Sequence, residues 1–172
     1  VGRTVCRLFR ENGIEPTVVE LNLETVRRLR AEGLRAVYGD ATHPDTLKAA
    51  GADRAASLIL SSSQVTGGEE VIRAAKELNP DVRVLARSAY VRERPALRRA
   101  GSEVVVSGEG EVALALTEAI LRRLGATPDQ IDRERERVRQ DLSDDGAEVY
   151  SRFADAAPET LRPEPDRKGE PL

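Results

Sequence analysis

Short apolar runs alternate along the chain with segments whose apolar residues recur at helical spacing. Runs rich in valine, isoleucine and leucine predict five strands, at 17–21, 35–38, 56–60, 82–86 and 103–106. Apolar residues three and four positions apart predict the helices that follow them, at 23–32, 44–50, 67–78, 91–100 and 109–124. One further helix precedes the first strand and ends at Asn12 and Gly13. Thr42 or Asp45 is the expected N-cap of the helix at 44–50.

Five repeats of strand and helix predict an α/β protein with a Rossmann-like, doubly wound parallel sheet. The predicted strands lack strict alternation of apolar and polar residues, which fits a sheet covered by helices on both faces. A (β/α) barrel is the alternative, but it needs about 250 residues. The chain has 172 residues, so we favour the doubly wound sheet.

The composition divides the chain into three parts. Residues 1–126 carry the repeating pattern and form the predicted domain, whereas the acidic excess lies after Ala126. We expect 127–142 to be an exposed, charged helix capped by Thr127. Its Ile131, Val138 and Leu142 form a thin apolar face suited to a partner. Residues 143–172 are acidic and proline-rich, and we expect a disordered tail.

Composition excludes several functions. The net charge of −3 and pI of about 5.4 argue against a nucleic-acid partner. No apolar run reaches the roughly 18 residues of a membrane span, and no signal peptide opens the sequence. The sequence contains one cysteine, Cys6, and one histidine, His43. We therefore expect no disulfide, no metal site and no catalytic set.

The start of the chain resembles part of a dinucleotide-binding unit. In such a fold the first strand leads into G-x-G-x-x-G, whose last glycine opens the first helix. Gly2 stands in that position, and Glu20 follows it by 18 residues, close to the spacing of about 20 at which an acid binds ribose. We therefore expect the central strand and the start of the glycine loop to be absent, between the strands at 17–21 and 56–60. Two unpaired strand edges would then make the isolated chain poorly stable and prone to aggregation.

Small, polar or charged residues follow the predicted strands. Because the carboxyl ends of parallel strands form the ligand crevice of such folds, we expect these residues to meet at one edge. Candidate binding residues at that edge, besides Gly2 and Glu20, are Asn22, Asp40, Ala41, Ser61, Ser62 and Arg87. Asp40 could accept a hydrogen bond from an adenine amino group, the serines offer hydroxyl groups to phosphate or ribose, and Arg87 offers a guanidinium to phosphate.

Several segments resemble the TrkA-N or KTN domain of the regulator of potassium conductance family. They are 2–5 (GRTV), 18–22 (VVELN), 38–42 (YGDAT) and 47–52 (LKAAGA). The later segments 86–90 (ARSAY) and 107–113 (SGEGEVA) look most like the cytoplasmic domain of Kef-type cation:proton antiporters. The resemblance covers about residues 1–142, and its most specific part is the Gly-Asp-Ala-Thr element.

The resemblance implies a regulatory domain, not an enzyme, that binds NAD(H) or an AMP-type adenine nucleotide and controls a membrane potassium or other monovalent cation:proton antiporter or channel. Carried over by motif, Gly2 packs against the pyrophosphate, Glu20 binds the adenosine ribose, Asp40 and Ala41 contact adenine, and Arg87 faces phosphate or an allosteric ligand. The implied partners are a second copy of the same domain and an upstream or associated transmembrane potassium or other monovalent cation transporter. The implied location is the cytoplasmic face of the plasma membrane.

Two other functions remain open. An NAD-dependent dehydrogenase would need a substrate domain with a catalytic base, and no histidine follows Ala126. A methyltransferase has a similar acid after its second strand, and the order of elements beyond the fifth strand would distinguish it.

Overall fold

A computed structural model of the protein describes residues 1–62 and 67–142. The helices are α1 (Gly2–Glu11), α2 (Leu23–Ala31), α3 (Pro44–Ala49), α4 (Gly68–Leu78), α5 (Arg94–Arg99), α6 (Gly108–Arg123) and α7 (Pro128–Asp141). The strands are β1 (Thr17–Glu20), β2 (Arg35–Tyr38), β3 (Ser57–Leu60), β4 (Arg83–Ser88) and β5 (Val104–Ser107). Two 3₁₀ turns, Ala52–Arg54 and Val91–Glu93, complete the alternating order. None of the helices in the described part of the chain has the length and hydrophobicity to cross a bilayer.

All strand pairs are parallel, as the alternating pattern predicts. β1 pairs with β2, with Val18 opposite Ala36. β4 lies between β3 and β5, with Leu58 opposite Val84 and Ala86 opposite Val105. Among the described residues no ladder joins the two sheets. β1 and β3 are therefore each paired on one side only, and these are the two strands between which the sequence predicts a break.

The main core lies on the three-stranded sheet. Its largest fully buried side chains include Val71 and Ile72 of α4, which pack with Val84 of β4, Val82 and Leu47 of α3. A smaller core lies at the two-stranded sheet, where α2 covers β2. It consists of Val26, Leu29, Leu34 and Ala36, with Cys6 and Val18 packed against it. The two clusters make this an α/β protein of the predicted class.

Most predicted boundaries shift by one or two residues in the structure, and three differences change the role of a residue or the type of an element. β4 extends to Ser88, so Arg87 belongs to the strand and does not follow it. The helix predicted at 91–100 is a 3₁₀ turn followed by α5, with Pro95 in the first turn of α5, where the missing N–H of proline is tolerated. The N-cap of α3 is His43, whose side chain makes no capping hydrogen bond to the helix. Neither expected residue caps α3. The Thr42 hydroxyl donates to Asp40 instead, and Asp45 lies within the helix.

The helix at the end of the described chain is charged, but its apolar face is not free. Ile131 is only 5% exposed, and α7 packs against α6. Glu118 of α6 also forms an ion pair with Arg135 of α7 at 3.4 Å. The expectation that this face is suited to a partner is therefore wrong, because α6 already covers it. The predicted Thr127 cap is confirmed by its bond from the Gln130 N–H at 3.3 Å. The predicted tail, 143–172, lies outside the described residues.

Candidate functional site

The start of α1 lies against the end of β3. A Cβ on Gly2 would come within 3.0 Å of the Ser61 Oγ. Only glycine therefore allows this approach without displacing the serine side chain. The contact brings together two of the predicted binding residues, at the carboxyl ends of the parallel strands. There the first N–H groups of α1, which have no partner within the helix, favour an anionic group.

Glu20 ends β1 on the same edge. One of its carboxylate oxygens, Oε1, accepts the Asn22 backbone N–H at 2.9 Å, and its backbone carbonyl accepts the N–H of Gly39 at 3.1 Å. The second bond places the Asp40 loop beside Glu20. The Asn22 side chain accepts the Thr25 N–H at 2.9 Å and caps α2. Its carbonyl oxygen is thus already engaged in holding the helix.

Asp40 begins a tight loop after β2. Its Oδ1 accepts the Thr42 backbone N–H at 2.9 Å and the Thr42 hydroxyl at 2.8 Å. Both hydrogen bonds lower the pKa of the exposed Asp40 carboxyl below its usual range, and the backbone bond has the larger effect. The carboxylate is therefore ionised at neutral pH. Ala41, next in the loop, packs at the margin of the main core, so its backbone rather than its side chain is placed to meet a ligand.

The Asp40 loop also approaches the start of α4. A Cβ on Gly67 would lie 2.9 Å from the methyl group of Thr42, and the φ of Gly67 is +81°. Both the close approach and the left-handed backbone favour glycine at this position. The loop after β2 and the segment entering α4 therefore lie together at the carboxyl edge.

Ser62 and Arg87 line a cleft of about 610 Å³ between the end of β4, α4 and α5. The Ser88 side chain, 2% exposed, also lines it. Among the described residues the Ser88 Oγ has no hydrogen-bond partner. This hydroxyl can therefore bond to a polar group that enters the cleft.

Five charged residues of the cleft are missing from the sequence prediction. They are Glu69, Glu70 and Arg73 of α4, and Arg92 and Glu93 of the second 3₁₀ turn. Glu69 and Arg73 form an ion pair at 3.1 Å. Their i,i+4 spacing on a predicted helix signals an ion pair. It does not reveal that this helix face turns toward Arg87. The described residues contain no group of histidine, cysteine and acidic side chains arranged to hold a metal ion.

The parallel sheets and the polar carboxyl edge define a Rossmann-like α/β domain with a crevice suited to a small polar ligand. Residues 1–108 match the TrkA-N domain family. The chain belongs to that family, and the resemblance seen in the sequence is confirmed.

Individual relatives agree with this membership. The TrkA-N domain of the inner membrane protein ybaL of Escherichia coli is 30% identical, with a TM-score of 0.66 over 69% of this chain and 88% of that one. The Kef CTD of Shewanella denitrificans, solved in AMP-bound form, is 24% identical and shares the fold, with a TM-score of 0.72 over 89% of this chain and 92% of that one.

A glutathione-regulated potassium-efflux system protein of Haemophilus influenzae is 28% identical over 121 residues, which are 70% of this chain. The chain spans about a fifth of the length of that relative, since the match covers 20% of it. The Kef-type resemblance is thus also confirmed, and the domain is of a kind found in potassium transport systems.

Proposed function

We propose that this chain is a regulatory domain that binds NAD(H) or an AMP-type adenine nucleotide and thereby controls a membrane potassium or other monovalent cation:proton antiporter or channel. It acts at the cytoplasmic face of the membrane as a homodimer. The observation that carries the proposal is the carboxyl edge itself, where Gly2 meets Ser61 and where Glu20 lies beside the Asp40 loop. Such an edge offers an anion site and two carboxylates within one crevice.

Each part of an adenine nucleotide has a counterpart along this edge. The start of α1 and the hydroxyl groups of Ser61 and Ser62 suit the phosphate groups. The Glu20 carboxylate accepts hydrogen bonds from ribose hydroxyls, as an acid at that position does in dinucleotide-binding folds. Asp40, which the hydrogen bonds from Thr42 keep ionised, accepts a hydrogen bond from the adenine amino group.

Arg87 serves the same ligand or a second one. Its guanidinium lies in the cleft with Ser88, and a planar guanidinium binds phosphate or carboxylate through two hydrogen bonds. Asn22 contributes indirectly in this proposal, because its side chain fixes the start of α2 next to Glu20.

A regulatory role is supported better than a catalytic one. The relatives named above are a potassium-efflux system protein, a Kef CTD and the TrkA-N domain of an inner membrane protein. The alternative is a fragment of an NAD-dependent oxidoreductase, which would oxidise or reduce a substrate with bound NAD(H). Turnover of NADH in the presence of candidate substrates would favour that alternative.

Regulation of a transporter requires that the nucleotide bind its active and inactive states with different affinity. Coupling free energies of this kind are about 1–3 kcal/mol, which corresponds to a change of about 5- to 150-fold in the ratio of the two states. We therefore expect nucleotide to adjust transport in a graded way.

The test is cation-coupled proton flux in vesicles that contain the protein in its natural full length with its transporter. We expect NADH or AMP to change the flux, and Asp40→Ala to shift that response to at least about fivefold higher nucleotide concentration. Asp81→Ala is the matched control, since Asp81 is exposed and precedes β4, at the opposite ends of the strands. Flux that is unchanged by every nucleotide that binds, and by Asp40→Ala, would show that the proposal is wrong.

A further inference from the structure

His43 lies directly beside the loop that holds Asp40. It is the one histidine of the sequence, and its side chain is exposed. Its ring Nδ1 lies 3.1 Å from the hydroxyl oxygen of Thr42, and that hydroxyl lies 2.8 Å from Oδ1 of Asp40. The three side chains therefore form one hydrogen-bonded network that ends on the carboxylate proposed to bind adenine. We call these three side chains the 40–43 network.

The direction of both hydrogen bonds follows from the charge of Asp40. Its pKa is lowered below the usual range, first by the backbone hydrogen bond from Thr42, so the carboxylate is ionised at neutral pH and can only accept. The single hydroxyl hydrogen of Thr42 is therefore donated to Asp40. The Thr42 oxygen then accepts from Nδ1 of His43, so that Nδ1 carries a hydrogen and Nε2 of the neutral ring is an acceptor.

The 40–43 network therefore offers acceptors to a base that approaches it. Both hydrogen bonds from Thr42 end on Oδ1 of Asp40, which leaves Oδ2 for a ligand. Within residues 1–62 and 67–142, Nε2 of His43 has no hydrogen-bond partner. Adenine presents an amino donor, and hypoxanthine presents a carbonyl acceptor in the same place. A pair of acceptors suits the amino group and repels the carbonyl oxygen.

Protonation of the ring would change this balance. An imidazole is the side chain that ordinarily changes its charge between about pH 5 and 8, and its charged form is a donor at both nitrogens. The hydrogen bonds from Thr42 are the main causes that lower the pKa of Asp40, and the charge of His43 adds to them. A charged His43 therefore opposes an amino group at this position in two ways, through its own donor and by weakening Asp40 as an acceptor.

Other charged groups surround the 40–43 network. Oε2 of Glu70, on α4, and the methyl group of Thr42 are each 2.9 Å from the place a Cβ on Gly67 would take, so Glu70 borders the loop. The remaining titratable or charged residues of α3 and of the elements near it are Glu20, Arg35, Tyr38, Asp45, Lys48, Asp53, Arg54, Glu69, Arg73, Lys76 and Glu77. None of them is a histidine, so His43 is the side chain of this region whose type ordinarily titrates near neutral pH.

We propose that His43 determines which base the site accepts, selecting adenine over hypoxanthine when its ring is neutral and relaxing that selection when its ring is protonated. The inference rests on the adenine nucleotide site of the proposed function, for which it names a specificity-determining residue. The domain then distinguishes adenine nucleotides best at neutral or alkaline pH and less well as the pH falls.

Calorimetric titration with AMP and with IMP, at about pH 7.5 and about pH 5.5, tests the proposal on the protein in its natural full length. The phosphate group takes up a second proton near about pH 6. Because AMP and IMP differ only in the base, the ratio of their dissociation constants cancels that effect. We expect IMP to bind at least about fivefold more weakly than AMP at the higher pH. The ratio should fall by roughly threefold at the lower pH.

NAD⁺ and its hypoxanthine analogue form a second pair of probes. They differ in the same group of the base and carry two phosphate groups in place of one. We expect the same fall in their ratio, because the 40–43 network meets the base and the phosphate groups are proposed to lie at the start of α1.

His43→Asn isolates the titrating ring. An asparagine amide can donate to the Thr42 oxygen as Nδ1 does, but it does not change its charge with pH. We expect the ratio for this variant to be the same at both pH values. Asp81→Asn is the control, since Asp81 is exposed and precedes β4 at the opposite ends of the strands, and it should keep the pH response of the unmodified protein.

Two results would overturn the proposal. One is a ratio that does not depend on pH in the unmodified protein, and the other is a pH response that persists unchanged in His43→Asn. Either result leaves the binding of AMP intact and removes only the role of His43. No binding of either pair of nucleotides, in protein shown to be folded, would instead contradict the proposed function and this inference together.

Discussion

A methyl group on Gly2 would lie 3.0 Å from the Oγ of Ser61. The start of α1 and the end of β3 therefore approach as closely as a glycine permits. Gly2 lies within the helix and the structure assigns it no left-handed φ. Its role is thus to allow close approach rather than an unusual backbone conformation.

Gly2→Ala is expected to weaken adenine nucleotide binding by about tenfold, or about 1.4 kcal/mol. The added methyl group crowds Ser61 where phosphate is proposed to bind. The free energy of unfolding should change little, since α1 contains no buried residue and alanine favours a helix. Calorimetry and chemical denaturation measure the two effects. Thr4→Ala, at an exposed site on the same helix, should change neither.

Glu20→Gln is expected to weaken nucleotide binding by about 1–3 kcal/mol, because ribose hydroxyls lose a charged acceptor. The substitution keeps the Oε1 atom that accepts the Asn22 N–H, so the melting temperature should stay the same. Fluorescence titration with NADH measures the affinity. Equal affinity of Glu20→Gln and the unmodified protein would remove Glu20 from the site.

The lowered pKa of Asp40 predicts how the stability of the protein depends on pH. Its pKa in the folded protein is lowered, first by the Thr42 backbone hydrogen bond, whereas an unfolded aspartate has a pKa of about 3.9. Its contribution to stability is therefore fully present above that value and is lost as the pH falls through the folded pKa. The stability difference between the protein and Asp40→Asn should be constant from about pH 5 to 8 and should shrink below about pH 4. Denaturation series at several pH values test this.

The packing of α7 on α6 predicts a clear difference between two substitutions. Ile131→Ala should reduce the free energy of unfolding by about 2–3 kcal/mol, because Ile131 is 5% exposed and its truncation leaves a cavity. Val138→Ala should cost about 1 kcal/mol or less, since Val138 is only half-buried. Hydrogen exchange along 128–141 would show the same order. Equal effects would mean that Ile131 does not dock the helix.

Much of the fold follows from local pattern. The short run at 35–38 corresponds to β2 without any shift of boundary, because Val37 and Tyr38 favour a strand and Gly39 ends it. The break between the two sheets was also predictable, since it depends on strand order. The boundary of β4 was not, because Arg87 and Ser88 continue the ladder opposite Val106 and Ser107. Strands are predicted from runs of apolar residues, so the polar end of β4 could not be detected in this way.

The site divides in the same way. The positions of Gly2 at the start of a helix and of Glu20 and Asp40 at the ends of strands were predictable from spacing, and their role in binding stays a prediction. Arg73 and Arg92 were not, because their position in the cleft depends on how α4 and the turn at 91–93 pack against β4. The expectation of a partner-binding face on α7 failed for a similar reason, since it too depends on tertiary packing. Ile131 gives the same pattern whether it faces solvent or α6, and only the tertiary contact distinguishes the two.

The central claim is that the carboxyl edge binds an adenine nucleotide. Isothermal titration calorimetry of the protein in its natural full length, with AMP and with NADH, tests it most directly. We predict one nucleotide per chain with micromolar or weaker affinity, reduced at least about fivefold, or about 1 kcal/mol, in Asp40→Asn and unchanged in Asp81→Asn, which lies before β4 at the opposite ends of the strands. The absence of binding by every adenine nucleotide at millimolar concentration, in protein shown to be folded, would contradict it.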